Sequence, residues 1–477
     1  MNKIKISYNI VIASMCVLCT ACIGPALNFR SENKSVPSTF NNSNDTINSA
    51  KTKWKDFFSD ANLVALIDTA LIKNQELNIV LQEINIAKNE VRARKGAYLP
   101  FLGIGVGSAV EKSGLYTSKG ANDAAIDIYP GRKIPDPLSN YIVGANISWE
   151  VDIWKKLRNA KKVAINKYLA TIDGKNFMVT HLVAEIANSY YELLALDNQL
   201  AILKENINLY QNSLEIVRLE KSSARVTELA VRRFEAEVIK NQSRQFYIEQ
   251  QIIETENRVN FLVGRFPQSV TRNAAIFSNL TTDSIHAGLP SQLLENRPDI
   301  KKSEKELIAA KLDVKVARAE FYPSLTITAG AGYSAFNIQH LLQTPQSLIY
   351  TLAGDLVAPL INRNAIKANY NAANSRQLQA IYNYERTILN AHIEVANQLS
   401  NIINLKKSYD LKALQVQTLT ESIDISTVLF KSARADYMEV LLTQRDALES
   451  RFELIEIKKQ QMNAKVNVFQ ALGGGWK

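Results

Sequence analysis

Apolar and polar positions along this chain follow two periods. Leu102, Ile104, Val106 and Val110 alternate with Gly103, Gly105, Gly107 and Ala109. Tyr141, Val143, Ala145, Ile147, Trp149 and Val151 alternate with Gly144, Asn146, Ser148 and Glu150. Leu325, Ile327, Ala329, Ala331 and Tyr333 alternate with Thr326, Thr328, Gly330, Gly332 and Ser334, and a fourth run lies at about Leu348 to Leu356. Period two predicts strands with one apolar face, and runs of roughly ten residues suit a tilted membrane crossing. Tyr141 and Trp149 sit near the ends of one run, where an interfacial aromatic girdle belongs.

Elsewhere the chain reads as helix. No proline occurs between Pro137 and Pro267, and neither proline nor glycine from Leu360 through Leu472. Stretches of this length filled with Ala, Leu, Gln, Glu and Lys predict long helices. Two antiparallel pairs are expected, turning near Ser222 to Thr227 and near Ser432 to Asp436. Helices of about 60 residues would reach on the order of 90 Å. Order is expected to begin at Trp54, with an amphipathic helix running to about Ala97.

The organisation is duplicated. Ala87-Lys88-Asn89-Glu90-Val91 through Tyr98-Leu99-Pro100 matches Ala310-Lys311-Leu312-Asp313-Val314 through Phe321-Tyr322-Pro323 at an offset of 223. Ser223-Ala224-Arg225 returns as Ser432-Ala433-Arg434, and Gly264 as Gly473, at an offset of 209. A repeat of about two hundred residues is a structural half, far longer than a solenoid period of roughly 20 to 50. The divisions expected are a signal segment at 1–22, a tether at 23–50, a first repeat at 51–265, a linker at 266–288, a second repeat at 289–472 and a tail at 473–477. The β-hairpins of the repeats are placed at about 101–151 and 324–357.

Residues 1–22 carry Lys3 and Lys5 ahead of a short apolar run, then Thr20-Ala21-Cys22, as an export signal does. All three cysteines, Cys16, Cys19 and Cys22, fall in this segment, so no disulfide or cysteine metal site is expected in the mature chain. The ending resembles a lipobox that would leave Cys22 acylated, although Cys19 stands where leucine is usual. Net charge is +10, with basic residues read as dispersed and interleaved with acids, which argues against a nucleic-acid partner.

Four strands cannot close a membrane barrel, and open edges facing lipid would leave backbone groups unpaired. Several chains must therefore share one barrel. Three would give twelve strands, whereas two would give eight, whose interior side chains largely fill.

Gly288-Leu289-Pro290-Ser291-Gln292-Leu293-Leu294-Glu295-Asn296-Arg297-Pro298-Asp299-Ile300 and Ala471-Leu472-Gly473-Gly474-Gly475-Trp476 resemble the signature and the C-terminal ending of the TolC-like outer membrane factors. The likeness is to the lipoprotein branch serving resistance-nodulation-division (RND) efflux pumps, and it extends from about Trp54 to Trp476. It implies an α+β membrane protein in which a homotrimer forms a twelve-stranded outer-membrane β-barrel, four strands per protomer, continued by a periplasmic α-barrel tunnel. It further implies a passive exit duct for small molecules or ions, partnered by a periplasmic adaptor, an inner-membrane RND-type pump and outer-membrane lipid. Exit of a type I protein-secretion system and a lipid-tethered helical scaffold are the alternatives.

The resemblance also implies residue roles. Ser223, Ala224 and Arg225, with Ser432, Ala433 and Arg434, would form adaptor-contacting tips, alanine standing where relatives often have glycine. Asp436 to Arg445 matches the gate helix. Many relatives have aspartate at the position of Leu442, and Glu439 lies one turn earlier. Three copies of Glu439, with Met438 and Leu442, are expected to line the constriction, and a closed ring of them would need Arg434 or Arg445, bound cations, or raised carboxyl pKa values. Arg297, Pro298, Asp299 and Ile300 are read as structural: Pro298 suits a first helical position, and Asp299 the positive end of the helix dipole.

Catalysis has no foothold in the residues. His181, His286, His340 and His392 are isolated, without the spacing of a metal site, and no cofactor or metal is expected. Gly103 to Gly107 lies within a strand pattern and lacks a dinucleotide-loop register.

Overall fold

A computed structural model describes residues 25–26, 30–40, 46–281 and 286–476. Cys22 and the rest of the signal segment lie outside the described residues. Along the chain the helices and strands are α1 (Trp54–Phe57), α2 (Ala61–Lys73), α3 (Gln75–Tyr98), β1 (Phe101–Glu111), α4 (Ser118–Ala125), β2 (Asp127–Tyr129), β3 (Arg132–Lys133), β4 (Leu138–Val151), α5 (Lys156–Ser222) and α6 (Glu228–Val263). The second repeat supplies α7 (Leu293–Asn296), α8 (Pro298–Ala319), β5 (Ser324–Ala335), β6 (Leu348–Val357), α9 (Asn364–Lys431) and α10 (Tyr437–Ala471). No helix among the described residues is long and apolar enough to cross a membrane.

The helical pairs differ in one respect from the expectation. Each joins a limb of 67 or 68 residues to a return limb of 36 or 35. The return limbs stop early because Gly264 and Gly473 take left-handed conformations, with φ of 74° and 88°, which only glycine adopts without strain. The single helix expected from Trp54 to Ala97 is likewise broken, at Asn74, whose side-chain oxygen accepts from the Leu77 N–H and so caps α3.

The chain divides into two compact units. The first comprises Met1–Ser31, Ile86–Tyr168 and Lys305–Ile381. It holds an antiparallel sheet in the order β1-β4-β5-β6. In register, Leu102 faces Ile147, Ile147 faces Ala329 and Ala329 faces Leu352, so one face is apolar across all four strands. The opposite face aligns Gly103 with Asn146, Asn146 with Gly330 and Gly330 with Thr351. The apolar side chains are turned outward, with Ile104 and Val106 each 81% exposed and Leu352 79%. On the small-residue face, a Cβ on Gly332 would lie 2.3 Å from the Val143 carbonyl oxygen, so the backbones there approach too closely for any side chain. β1 and β6 are edges with no partner strand among the described residues.

All four helix connections leave one end of this sheet. The other end carries the segment between β1 and β4, which folds into α4 and the β2–β3 hairpin. The Thr117 side chain caps α4 by accepting from Gly120 N–H at 3.1 Å. The basic residues read as dispersed along the sequence are gathered in space, because the four helix ends adjoining the sheet together hold 17 of the 56 Lys and Arg against 5 of the 46 Asp and Glu.

The second unit comprises Glu32–Asn85, Leu169–Glu304 and Tyr382–Lys477. Its main core joins Trp54, Phe58, Leu63 and Ile67 to Ile186, Tyr190 and Leu193 of α5, Val259 and Val263 of α6, and Phe469 of α10. The packed body begins before Trp54. Phe40, in the expected tether, is 3% exposed and stacks on His392 at 5.1 Å, and Lys34 pairs with Glu304 at 2.8 Å. The expected linker at 266–288 is fastened too, since Arg272 grips Asp197 at 2.5 and 2.9 Å and Glu256 at 2.5 Å. The glycines of the expected C-terminal tail are buried, and Trp476 donates to the Gly473 carbonyl at 2.9 Å.

Candidate gate and hairpin tips

The two hairpin turns have the same backbone. After α5, the Ala224 N–H donates to the Lys221 carbonyl and the Arg225 N–H to that of Glu220, each at 2.9 Å. After α9, Ala433 donates to Phe430 and Arg434 to Leu429, again at 2.9 Å. This pair of bonds is a helix C-terminal motif that needs a left-handed residue at the turn, and Ala224 and Ala433 supply it at φ of 56° and 55°. Alanine pays a steric penalty there that glycine avoids.

Around this common backbone the side chains diverge. Arg218 reaches Glu215 and Glu235 at 2.8 Å, Arg232 reaches Glu228 at 2.8 Å and Glu235 at 3.0 Å, and Lys221 pairs with Glu228. Hydrogen bonding from Lys221 holds the Glu228 carboxyl below its ordinary value, and hydrogen bonding from Arg218 does the same for Glu235. At the offset of 209, Arg218, Lys221, Glu228, Arg232 and Glu235 become Thr427, Phe430, Tyr437, Leu441 and Gln444. The second tip is apolar where the first is ionic. Phe430, Val440, Leu441, Leu448 and Phe452 are buried in one cluster with Leu203, Tyr210 and Val217 of α5 and Val231 and Phe234 of α6.

Few polar ties accompany that packing. Gln444 Nε2 donates to Ser213 Oγ at 3.1 Å, Arg233 reaches the Met438 sulfur at 2.7 Å, and Arg244 pairs with Glu449 at 2.7 Å while lying 4.0 Å over the Phe452 ring. Gln444 is 1% exposed and its Oε1 has no partner, so the second pair is held on the first by polar contacts that are only partly satisfied.

Glu439 stands in the first turn of α10, exposed, with no ion pair among the described residues. Residues turn by about 100° each along a helix, so Leu442, Thr443 and Asp446 share its face, whereas Arg445 lies about 120° away. Arg445 approaches Asp446 at 3.4 Å instead. Neither Arg434 nor Arg445 forms an ion pair with Glu439 among the described residues. Asp446, two turns from Glu439 on one face, was not singled out by sequence reasoning, although its spacing of seven was legible. Met438 is half-buried against Arg233, and Leu442 is exposed.

The signature residues lie elsewhere in the same unit. Pro298 opens α8, Asp299 occupies its first turn, and Ile300 is 1% exposed. Arg297 is buried at the break before α8. It holds Asp299 at 2.7 and 3.0 Å, Glu394 at 2.6 Å and the Ala471 carbonyl at 2.9 Å.

A duplicated chain that joins a short sheet, apolar on its outward face, to very long helical hairpins defines a class of outer-membrane channel protein. The chain belongs to the outer membrane efflux protein family, whose model matches residues 66–265 and 289–474. It is 26% identical over 425 residues to the pyoverdine export outer membrane protein OpmQ of Pseudomonas aeruginosa, covering 89% of this chain and 87% of that one. It is 26% identical over 425 residues to the cation efflux system protein CusC of Escherichia coli K12, covering 88% of each. The probable outer membrane lipoprotein SilC of Salmonella typhimurium is 24% identical over 461 residues, covering 95% and 96%. Among solved structures, CusC superposes with a TM-score of 0.81 at 23% identity over 95% of this chain and all of that one. The open-state MtrE outer membrane channel of Neisseria gonorrhoeae superposes at 0.82 with 22% identity over 95% and 99%. Membership makes this an outer-membrane efflux channel protein.

Proposed function

We propose that three copies of this chain build one exit duct, a twelve-stranded barrel in the outer membrane continued by a helical tunnel in the periplasm. The observation that carries this reading is the four-stranded sheet, which has one outward apolar face, one small and polar face, and two unpaired edges. In lipid each edge must find a partner, and β6 of one copy beside β1 of the next satisfies both. Acylation at Cys22 adds a second hold on the membrane.

The duct is passive, and cargo reaches it from an RND-type inner-membrane pump through an adaptor that docks on the tips at Ser223 to Arg225 and Ser432 to Arg434. The second hairpin, with Glu439 and Asp446 on one exposed face, is the gate. Three copies of each would stack two acidic rings one above the other, favouring cations in the constriction. Adaptor binding opens the duct by favouring the state in which the second hairpin leaves the first. Relatives of similar identity are named for pyoverdine, cations and toluene, so the cargo is chosen outside this fold.

The test is native mass spectrometry and planar-bilayer conductance on one detergent-purified sample. A trimer with small, cation-biased, mostly closed conductance supports the duct. A monomer without conductance overturns it.

A further inference from the structure

The net charge of this protein sits in one place. Segments 86–98, 152–168, 305–323 and 358–381 make up the helix ends that adjoin the sheet, and they hold 17 of the 56 Lys and Arg against 5 of the 46 Asp and Glu. They carry +12 where the whole chain carries +10, so everything else is close to neutral. All four segments belong to the first unit. Arg94 with Glu90, Lys156 with Glu150, Arg158 with Asp152 and Lys167 with Asp313 form ion pairs there. Arg92, Lys95, Lys155, Lys162, Lys315 and Lys367 are exposed and make no ion pair among the described residues. Neighbouring copies cannot neutralise this belt, because each brings the same excess.

Two further observations fix what the belt faces. Between it and the strands runs an exposed apolar rim, with Phe101 69% and Ile361 91% exposed, and Trp154, 46% exposed, stacked on Tyr322 at 4.6 Å and donating to the Pro323 carbonyl at 2.8 Å. Apolar strands, an aromatic rim and then bare cations are the order of layers at a membrane surface. The start of the chain is tied to the same level, since Tyr370 Oη donates to the Ala26 carbonyl at 2.9 Å.

We propose that this belt is a docking surface for anionic phospholipid headgroups of the periplasm-facing leaflet, which neutralise it and fix the depth of the channel. The proposal rests on the outer-membrane channel reading above. A basic residue beside an anionic surface is worth about a five-fold change in binding. The test uses the full chain purified in detergent and exchanged into nanodiscs of phosphatidylglycerol with phosphatidylcholine, or of phosphatidylcholine alone. Lipids retained per trimer are counted by native mass spectrometry, for the native chain and for the Arg92→Gln, Lys95→Gln, Lys162→Gln, Lys315→Gln variant. Selective retention of phosphatidylglycerol by the native trimer, reduced at least about five-fold in the variant and unmoved by added inorganic phosphate, is the expected result. Equal retention by both trimers, no preference over phosphatidylcholine, or displacement by free phosphate overturns the proposal while leaving the channel intact. A native chain that forms neither trimer nor pore overturns both readings. Lys406→Gln with Lys407→Gln, outside the belt, serves as the control for charge loss and retains lipid as the native chain does.

Discussion

Arg297 does in the second repeat what Asn74 does in the first. Asn74 Nδ2 donates to the Leu262 carbonyl at 2.9 Å, and Arg297 Nη1 donates to the Ala471 carbonyl, also at 2.9 Å. The donors are related by the offset of 223 and the acceptors by 209, and both donors fill the break between a short helix and the helix leading to the sheet. A duplicated clamp thus ties the end of each return limb to the start of each membrane-directed helix. Burial opposes the charge of Arg297, yet Asp299 and Glu394 outweigh it and hold the guanidinium above its ordinary value. Asn74→Ala removes a cap and orphans a buried carbonyl, a loss of about 1–2 kcal/mol. Arg297→Met also strands the Asp299 carboxylate, a loss of about 3 kcal/mol, at the low end for broken pairs because Glu394 is half exposed. Chemical unfolding in detergent measures both, and an Asn74→Ala loss equal to or above that of Arg297→Met would refute the ranking.

The same clamp explains the glycines. A Cβ on Gly264 would lie 2.4 Å from the Lys73 carbonyl oxygen, and one on Gly473 would lie 2.7 Å from that of Asn296. Lys73 and Asn296 are themselves equivalents at 223. Gly264→Ala and Gly473→Ala each combine a left-handed alanine, costing about 1–2 kcal/mol, with a collision against backbone that cannot swing away. Gly96 in α3 has nothing within 4 Å of its added Cβ, so Gly96→Ala is expected to gain about 0.5–1 kcal/mol. Opposite signs in thermal unfolding are the prediction.

At the tips the sign reverses again. Ala224 and Ala433 already occupy left-handed positions. Glycine relieves about 1–2 kcal/mol of steric cost and returns about 0.4–1 kcal/mol through the greater freedom of the unfolded chain. Ala224→Gly and Ala433→Gly should each stabilise by about 0.5–1 kcal/mol. Destabilisation by either would mean that contacts of the methyl group outweigh the strain.

The strands and hairpins were legible because their signals are local: period-two alternation, the absence of proline, and one word, Ser-Ala-Arg, echoed at the two turns. What could not be read depended on which residues meet. Arg297 looked like a companion of Pro298 because, Asp299 apart, its partners Glu394 and the Ala471 carbonyl lie 97 and 174 residues away. The basic belt was missed for the same reason. Its four segments are short and lie far apart along the sequence, and only the return of all four connections to one end of the sheet brings them together. Glu439 was chosen through its spacing from Leu442, but its separation from Arg445 on the helix surface required the helix phase to be followed through to Asp446.

The asymmetry between the tips makes a last prediction. The ion pairs of Arg218, Arg232 and Glu235 lie within the first hairpin, so breaking them loosens that hairpin without freeing the second. Arg244 and Glu449 instead join the hairpins, as do Gln444 and Ser213. Each cross tie is partly exposed or partly satisfied, and losing about 1–2 kcal/mol at one of them moves a two-state equilibrium by about 5- to 30-fold. Arg244→Ala is therefore expected to raise the open fraction of single channels by that factor or more, because three copies would act together in the proposed trimer. Gln444→Ala should do so less, since one of its polar atoms is already unpaired. Glu235→Ala should leave gating unchanged and lower stability only slightly, as exposed pairs contribute little. Single-channel recordings of the three variants decide the point: an open fraction raised equally by Glu235→Ala and Arg244→Ala would mean that the second hairpin is not the moving part.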